Sequence, residues 1–293
     1  MNSPIIMAQE PIKNLLPKFI DSLSEKRRSP ATVLAYRSDL TQLVDFLVRR
    51  EKVLPDQVRP EDLDSFRDTL LNDKYTPKSV SRKLNAVKTF FRWMISENFV
   101  TSDVSASVAH PKIESVLPKF LSPLEYRALR DVVRNDVRIA AIIELILQTG
   151  LRISEVANLK TEHVGKDTLK IEAYATQPER NVPLNKPAAD VLNAYMTIRP
   201  KVESPYVFIS KNGKPLAVRN IRASIARYMQ RAELPNYSVN DLRTTFMVEN
   251  LKAGVDIVLL SQVSGHKRLS TTERYLELAQ ITEPGKKQTL IEL

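Results

Sequence analysis

The chain has 293 residues and no cysteine. That absence excludes disulfide bridges, thiolate zinc sites and a cysteine nucleophile together. The three histidines, His110, His163 and His266, are scattered, so no histidine-rich metal motif is present and the expected chemistry uses neither metal nor cofactor. Long apolar runs are missing too. The longest candidate, IAAIIELILQTG from Ile139, falls short of the roughly 20 residues of a membrane span and contains Glu144, which marks it as a buried core helix. The N-terminus lacks the basic, apolar and small-residue order of a secretory leader, so a cytoplasmic protein without a membrane partner is expected. Acidic residues are in deficit: 34 Asp and Glu against 44 Lys and Arg leave a formal charge of +10, which favours a polyanionic partner such as nucleic acid.

What is present divides into two halves. From Pro11 to about Val108 the pattern is helical. Ser29-Pro30 places a capping residue before a proline at the first helical position and opens ATVLAYRSDLTQLVDFLVRR, with apolar residues at helical spacing. Pro60 opens EDLDSFRDTLLND in the same way, and SVSRKLNAVKTFFRWMISEN follows. In that last helix Val80, Leu84, Val87, Phe90, Phe91 and Met94 form a core stripe. Lys78, Arg82, Lys83, Lys88 and Arg92 are expected on its other face as candidates for contact with a phosphate backbone. An ordinary solvated helix face carries the same signature.

Prolines without clear periodicity in HPKIESVLPKFLSP mark a linker over residues 109–121, between a domain at 1–108 and another at 122–293. Ser122, Pro123 and Glu125 start the second domain with a cap, a proline and a glutamate at the third helical position. The buried helix ending at Gly150 and LRISEVANLK lead to two strand-like runs, TLKIEA and RNVPL, joined by a turn near Thr176 to Pro178. PYVFIS, followed by Asn212-Gly213, predicts one more strand and turn. The fold class is mainly α with a small antiparallel sheet.

Near the C-terminus the chain reads SGHKRLSTTERY, Ser264 to Tyr275. A glycine ends one helix and His266 follows it. Ser270 and Glu273 offer an S-x-x-E capping box for the next helix, which carries Tyr275 on its first turns. Taken alone, the pair reads as a loop histidine and a packing tyrosine. Two other segments change that reading: QTGLRISEVANL with Arg152, and VNDLRTTF with Arg243.

In order, spacing and local sequence the three segments resemble the tyrosine recombinases, the phage-integrase and Xer-like family of site-specific DNA recombinases. The resemblance extends over almost the whole chain, from SPATVLAYRSDLTQLVDFL and KSVSRKLNAVKTFFRWM onward. It implies a helical core-binding (SAM-like) domain followed by a tyrosine-recombinase catalytic domain with a C-terminal exchange segment. It also implies that Tyr275 attacks a DNA phosphodiester to give a 3′-phosphotyrosyl link and a free 5′-hydroxyl, with His266 bonded to a non-bridging oxygen. Elementary chemistry agrees. A phosphodiester repels nucleophiles, and its transition state carries more charge still, so two arginines such as Arg152 and Arg243 can clamp the oxygens without Mg²⁺. A phenol with an ordinary pKa near 10 needs such a positive field in order to attack at neutral pH.

Two positions depart from the family pattern. Where H-x-x-R is usual, this chain has Asn240 ahead of Arg243; asparagine can donate to phosphate but cannot act as a base. Aligning Arg180, Val182, Pro183 and Leu184 on the family's hairpin ending puts Ala175 where the family has the lysine that protonates the leaving oxygen, and leaves Lys170 or Lys166 as substitutes. The family's assembly implies a tetramer on two double-stranded DNA sites with inverted-repeat cores, either a homo-tetramer or one shared with a paralogous recombinase, and a nucleoid-associated location. The tail GKKQTLIEL, with Leu290, Ile291 and Leu293, reads either as an apolar plug for a neighbour or as packing on its own domain. A binding protein that keeps the fold without cleavage, and a type IB topoisomerase, are the alternative readings.

Overall fold

The structure is a computed structural model that describes residues 10–26, 28–114, 117–174, 177–280, 285, 287 and 289–293. It divides into two compact units, Met1–Ser115 and Val116–Leu293.

Among the described residues the first unit holds four α-helices: α1 (Ile12–Glu25), α2 (Pro30–Arg49), α3 (Pro60–Asn72) and α4 (Pro77–Ser96). Local chemistry sets their starts. The Ser29 and Thr76 side chains accept the N–H groups of Thr32 and Ser79, and each is followed by a proline, which needs no N–H partner at that position. The α4 stripe of Val80, Leu84, Val87, Phe90, Phe91 and Met94 is fully buried. Around it pack Phe19, Leu43, Leu47 and Phe66, with Phe19, Phe90 and Trp93 forming an aromatic cluster.

Lys83 departs from the expected arrangement. It lies one helical turn from both Val80 and Val87, which puts it on the inward side of α4, only 6% exposed. Its ammonium is 3.0 Å from Asp39 Oδ1 and 5.1 Å from the centre of the Tyr75 ring. Asp39 is itself buried, and it also takes both Nη groups of Arg82, whose side chain is otherwise exposed. The external basic face of α4 therefore consists of Lys78, Arg82, Lys88 and Arg92, and Lys83 belongs to the core.

The second unit is built on α5 (Pro123–Val133) and α6 (Val137–Thr149), followed by the short α7 (Ile153–Asn158), β1 (Thr168–Ile171), β2 (Arg180–Pro183), α8 (Lys186–Ile198), α9 (Val218–Arg231), α10 (Val239–Lys252), α11 (Ile257–Ser264) and α12 (Ser270–Ala279). Ser122 and Glu125 form the expected capping box at α5. The apolar helix α6 is the centre of the core and packs against α8 and α10. The strands pair antiparallel, Leu169 opposite Val182 and Ile171 opposite Arg180, and Leu169, Ile171 and Val182 point inward.

Two local expectations fail. PYVFIS is not a strand. Val207, Phe208 and Ile209 are fully buried, but the segment makes only isolated bridges, Lys160 to Tyr206 and Ile209 to Pro215, and no continuous ladder. The turn after it does form, with Gly213 at φ 73°. The capping box at Ser270 is also absent: Leu269 precedes the helix with helical angles of φ −58° and ψ −36°, whereas a cap needs extended backbone. The turn predicted near Thr176 falls partly outside the described residues.

The tail rests on its own unit. Lys287 donates to Gly254 O and accepts from Asp256 N–H, while Ile291 N–H reaches Asn250 Oδ1. Leu290 and Leu293 pack against the core.

Candidate active site

The C-terminal end of α11 organises the site. A helix leaves its last carbonyls without intrahelical partners and carries partial negative charge there. Gly265 ends α11 in the left-handed conformation, φ 65°. Three consecutive carbonyls at this end each take one guanidinium: Arg180 Nε donates to Val263 O at 2.8 Å, Arg243 Nη2 to Ser264 O at 2.6 Å, and Arg152 Nη2 to Gly265 O at 2.8 Å. Arg243 also bonds the carbonyl of Gly150, the left-handed residue that ends α6. Both glycine-terminated helix ends thus anchor the same cationic cluster.

Glu155 holds the cluster together. It stands three residues after Arg152 in the first turn of α7, and its carboxylate accepts four bonds: Arg152 N–H at 2.8 Å, Arg152 Nη1 at 2.9 Å, and both Nη groups of Arg180 at 2.9 Å. Burial opposes the charge on this carboxylate, but the bonds to Arg180 and then Arg152 win and hold its pKa below the usual range. Arg243, partly buried and beside Arg152, has its pKa pushed down to about 10 by desolvation and then by the Arg152 charge, and remains charged at neutral pH.

His266 contacts both Arg243 and Tyr275. Its Nε2 accepts from Arg243 at 3.0 Å, which leaves the proton on Nδ1 to be donated to the buried Thr272 Oγ1 at 2.8 Å. Burial, reinforced by Arg243, Arg152 and Arg180, drives its pKa down to about 4, so the ring is neutral at physiological pH. The imidazole lies parallel to the Tyr275 phenol, with centroids 6.2 Å apart and planes 8° apart.

Arg152, Asn240, Arg243 and Tyr275 all line one cavity of about 440 Å³, walled also by Ile153 and Thr244. The candidate catalytic residues read from the sequence are therefore brought together, with His266 behind them. Ala175 lies outside the described residues. Of the two substitute lysines, Lys170 lines a neighbouring cavity of about 270 Å³ that shares Arg152, with Lys160, His163 and Tyr174; Lys166 does not line it. Sequence reasoning missed three participants. Glu155 was visible only as a residue at i+3 from Arg152, Arg180 only as a marker of the hairpin ending, and Thr272 as one threonine in a polar run.

A basic face also appears on α9, where Arg219, Arg222, Arg227 and Arg231 are exposed opposite the buried Ile221, Ile225 and Met229.

The second unit thus gathers three guanidiniums at one helix end beside an imidazole and a phenol. Residues 119–281 match the phage integrase family and residues 16–98 the N-terminal SAM-like domain of phage integrases. The chain belongs to the phage integrase family, the tyrosine recombinases. Among its relatives, tyrosine recombinase XerC of Chlorobaculum parvum is 29% identical over 299 residues, covering 89% of each chain. XerC of Anoxybacillus flavithermus is 28% identical, covering 91% of this chain and 93% of that one. The same fold is found in XerH bound to a palindromic difH substrate in a post-cleavage complex, at TM-score 0.74 and 16% identity, covering 90% of this chain and 81% of that one. It is found again in a lambda integrase tetramer bound to a Holliday junction, at TM-score 0.73 and 15% identity, covering 92% and 82%.

Proposed function

We propose that the protein is a site-specific recombinase that cuts and rejoins double-stranded DNA through Tyr275 without a metal ion. The convergence of Arg152, Arg243, Asn240 and Tyr275 on one cavity carries the reading. Tyr275 Oη forms a bond to phosphorus and releases the phenol proton. The bond from phosphorus to the 5′-oxygen breaks, and that oxygen leaves with its electron pair and takes up a proton. The phosphoester energy is kept in the 3′-phosphotyrosyl link, so a second 5′-hydroxyl can reverse the step on another strand without ATP.

Arg152 and Arg243 hold the non-bridging oxygens. When phosphate takes over the Arg243 N–H, His266 Nε2 is free to carry a proton and donate it to phosphate, because Thr272 Oγ1 can donate to Nδ1 as readily as accept from it. Lys170 supplies the leaving-group proton in place of a hairpin lysine, supported by its position on the cavity that shares Arg152. Lys78, Arg82, Lys88 and Arg92 bind phosphates flanking the site. Relatives solved on a palindromic substrate and as a tetramer on a Holliday junction support an inverted-repeat core site and a homo-tetramer on two DNA duplexes.

The test is a nicked suicide DNA carrying the candidate site, resolved on a denaturing gel. Wild type yields a covalent protein-DNA band, Tyr275→Phe yields none, and Ala175→Lys yields more. A bound site that never becomes covalent, in wild type or in Ala175→Lys, refutes the proposal.

A further inference from the structure

Arg180 has no place in the clamp as described. It lines neither cavity, its side chain is only 9% exposed, and yet it uses three N–H groups, two on Glu155 and one on Val263 O. A structural ion pair between Arg152 and Glu155 alone would be sufficient to fix the start of α7. It would also neutralise Arg152. The site would then present the charge of Arg243 only, because His266 is neutral beside it.

We infer that Arg180 is a positioning residue that sets the charge and direction of the phosphate clamp: by sharing Glu155 it leaves Arg152 only partly compensated, so that the cluster carries a net charge of +2, three guanidiniums against one carboxylate. This rests on the recombinase reading of the site. A phosphodiester carries one negative charge, and the pentacoordinate state formed by tyrosinate attack carries two. A site at +2 matches the second state better than the first, and an interaction stronger in the transition state than in the ground state accelerates the chemistry rather than the binding. The geometry gives Arg180 two more effects. Its fork fixes the plane of the Glu155 carboxylate, and with it the Nη1 of Arg152. Its Nε ties β2 to the same end of α11 that holds Arg152 and Arg243, so the hairpin and the clamp move together. The Arg180 guanidinium also sits where a side chain on residue 265 would be, 2.9 Å from the position of a Cβ, so the glycine is what admits it to the cluster.

Two variants separate the possibilities. Arg180→Met keeps the length of the stem and removes the charge; Arg180→Lys keeps the charge and loses the fork. On the suicide DNA, Arg180→Met is expected to bind within about twofold of wild type and to form the covalent complex roughly 10²-fold more slowly, in the range of losses seen when one charge-stabilising donor is removed. Arg180→Lys recovers part of that loss. The His266 ring, followed by NMR titration, reads the same charge without any reaction: its midpoint rises in Arg180→Met and stays near the wild-type value in Arg180→Lys. Wild-type cleavage by Arg180→Met overturns the inference. So does a His266 midpoint that does not move, or a lysine variant no faster than the methionine variant. If wild type forms no covalent complex the recombinase reading fails, and the His266 titration then decides the charge assignment alone.

Discussion

Gly265 allows the architecture of the clamp to be tested with a matched control. An alanine there meets two obstacles. The first is the left-handed backbone, φ 65°, which costs a non-glycine residue about 1–2 kcal/mol. The second is local: the new Cβ would lie 2.9 Å from the Arg180 guanidinium and 3.1 Å from Arg152 Nη1. These are ends of flexible side chains, but here both are tied to Glu155 and to the end of α11, so moving them means breaking those bonds. Gly254 has the same kind of backbone, φ 81°, and nothing within 4 Å of a Cβ. Gly254→Ala therefore carries the strain without the displacement. Gly254→Ala should lose roughly 2–8 °C in Tm for a unit of this size, and Gly265→Ala at least as much. Only Gly265→Ala should lose cleavage, by roughly 10²-fold, since a shift of about 1 Å in positioning groups has that effect. Thermal denaturation and single-turnover cleavage of suicide DNA measure the two quantities. Equal cleavage rates in the two variants would refute the claim that Gly265 is the seat of the arginine cluster.

The His266 ring should titrate near pH 4 in NMR spectra of the native protein; because this lies below the unfolded value near 6.5, its contribution to stability is full above about pH 6.5 and is lost as pH falls toward 4. A midpoint at 6 or above would contradict the burial and the three-arginine field. Lys83→Met should lower stability by ~1–3 kcal/mol, as loss of a buried charged partner does, and leave DNA affinity unchanged at fixed salt. Arg92→Ala should do the reverse, weakening binding to all sequences and reducing the salt slope by about 1. Calorimetry and fluorescence anisotropy across a salt series distinguish the two, and a Lys83 variant that behaves like Arg92→Ala would return Lys83 to the DNA face.

The sequence made the skeleton legible wherever local chemistry determines structure. Ser29-Pro30, Pro60 and Ser122-Pro123-Glu125 start helices because capping and proline geometry act over three or four residues. The same short range made Ser270 misleading: the residue before it had already turned helical, which no pattern of side chains encodes. Lys83 was misplaced because charge suggested exposure while its spacing from Val80 and Val87 indicated burial, and the spacing prevailed once Asp39 supplied a partner from α2. In the site, Arg152, Asn240, Arg243 and Tyr275, singled out from motifs, line one cavity, whereas the contacts of Glu155, Arg180 and Thr272 were not legible. Arg180 reaches Glu155 across 25 residues and Val263 across 83, and such pairings exist only after the hairpin and α11 have been packed.

The row of carbonyls at the end of α11 also bears on what the free protein will ignore. Without DNA, every guanidinium of the cluster already has a backbone oxygen for company, and Arg243 has the imidazole as well. A small anion arriving from solution meets the net positive charge but must displace an internal acceptor that is held at fixed distance and has no entropy left to lose. A phosphate embedded in a duplex competes on different terms, because contacts along the neighbouring backbone supply free energy that a solitary ion lacks. The last turn of α11 thus holds fixed internal acceptors with which any incoming phosphate has to compete.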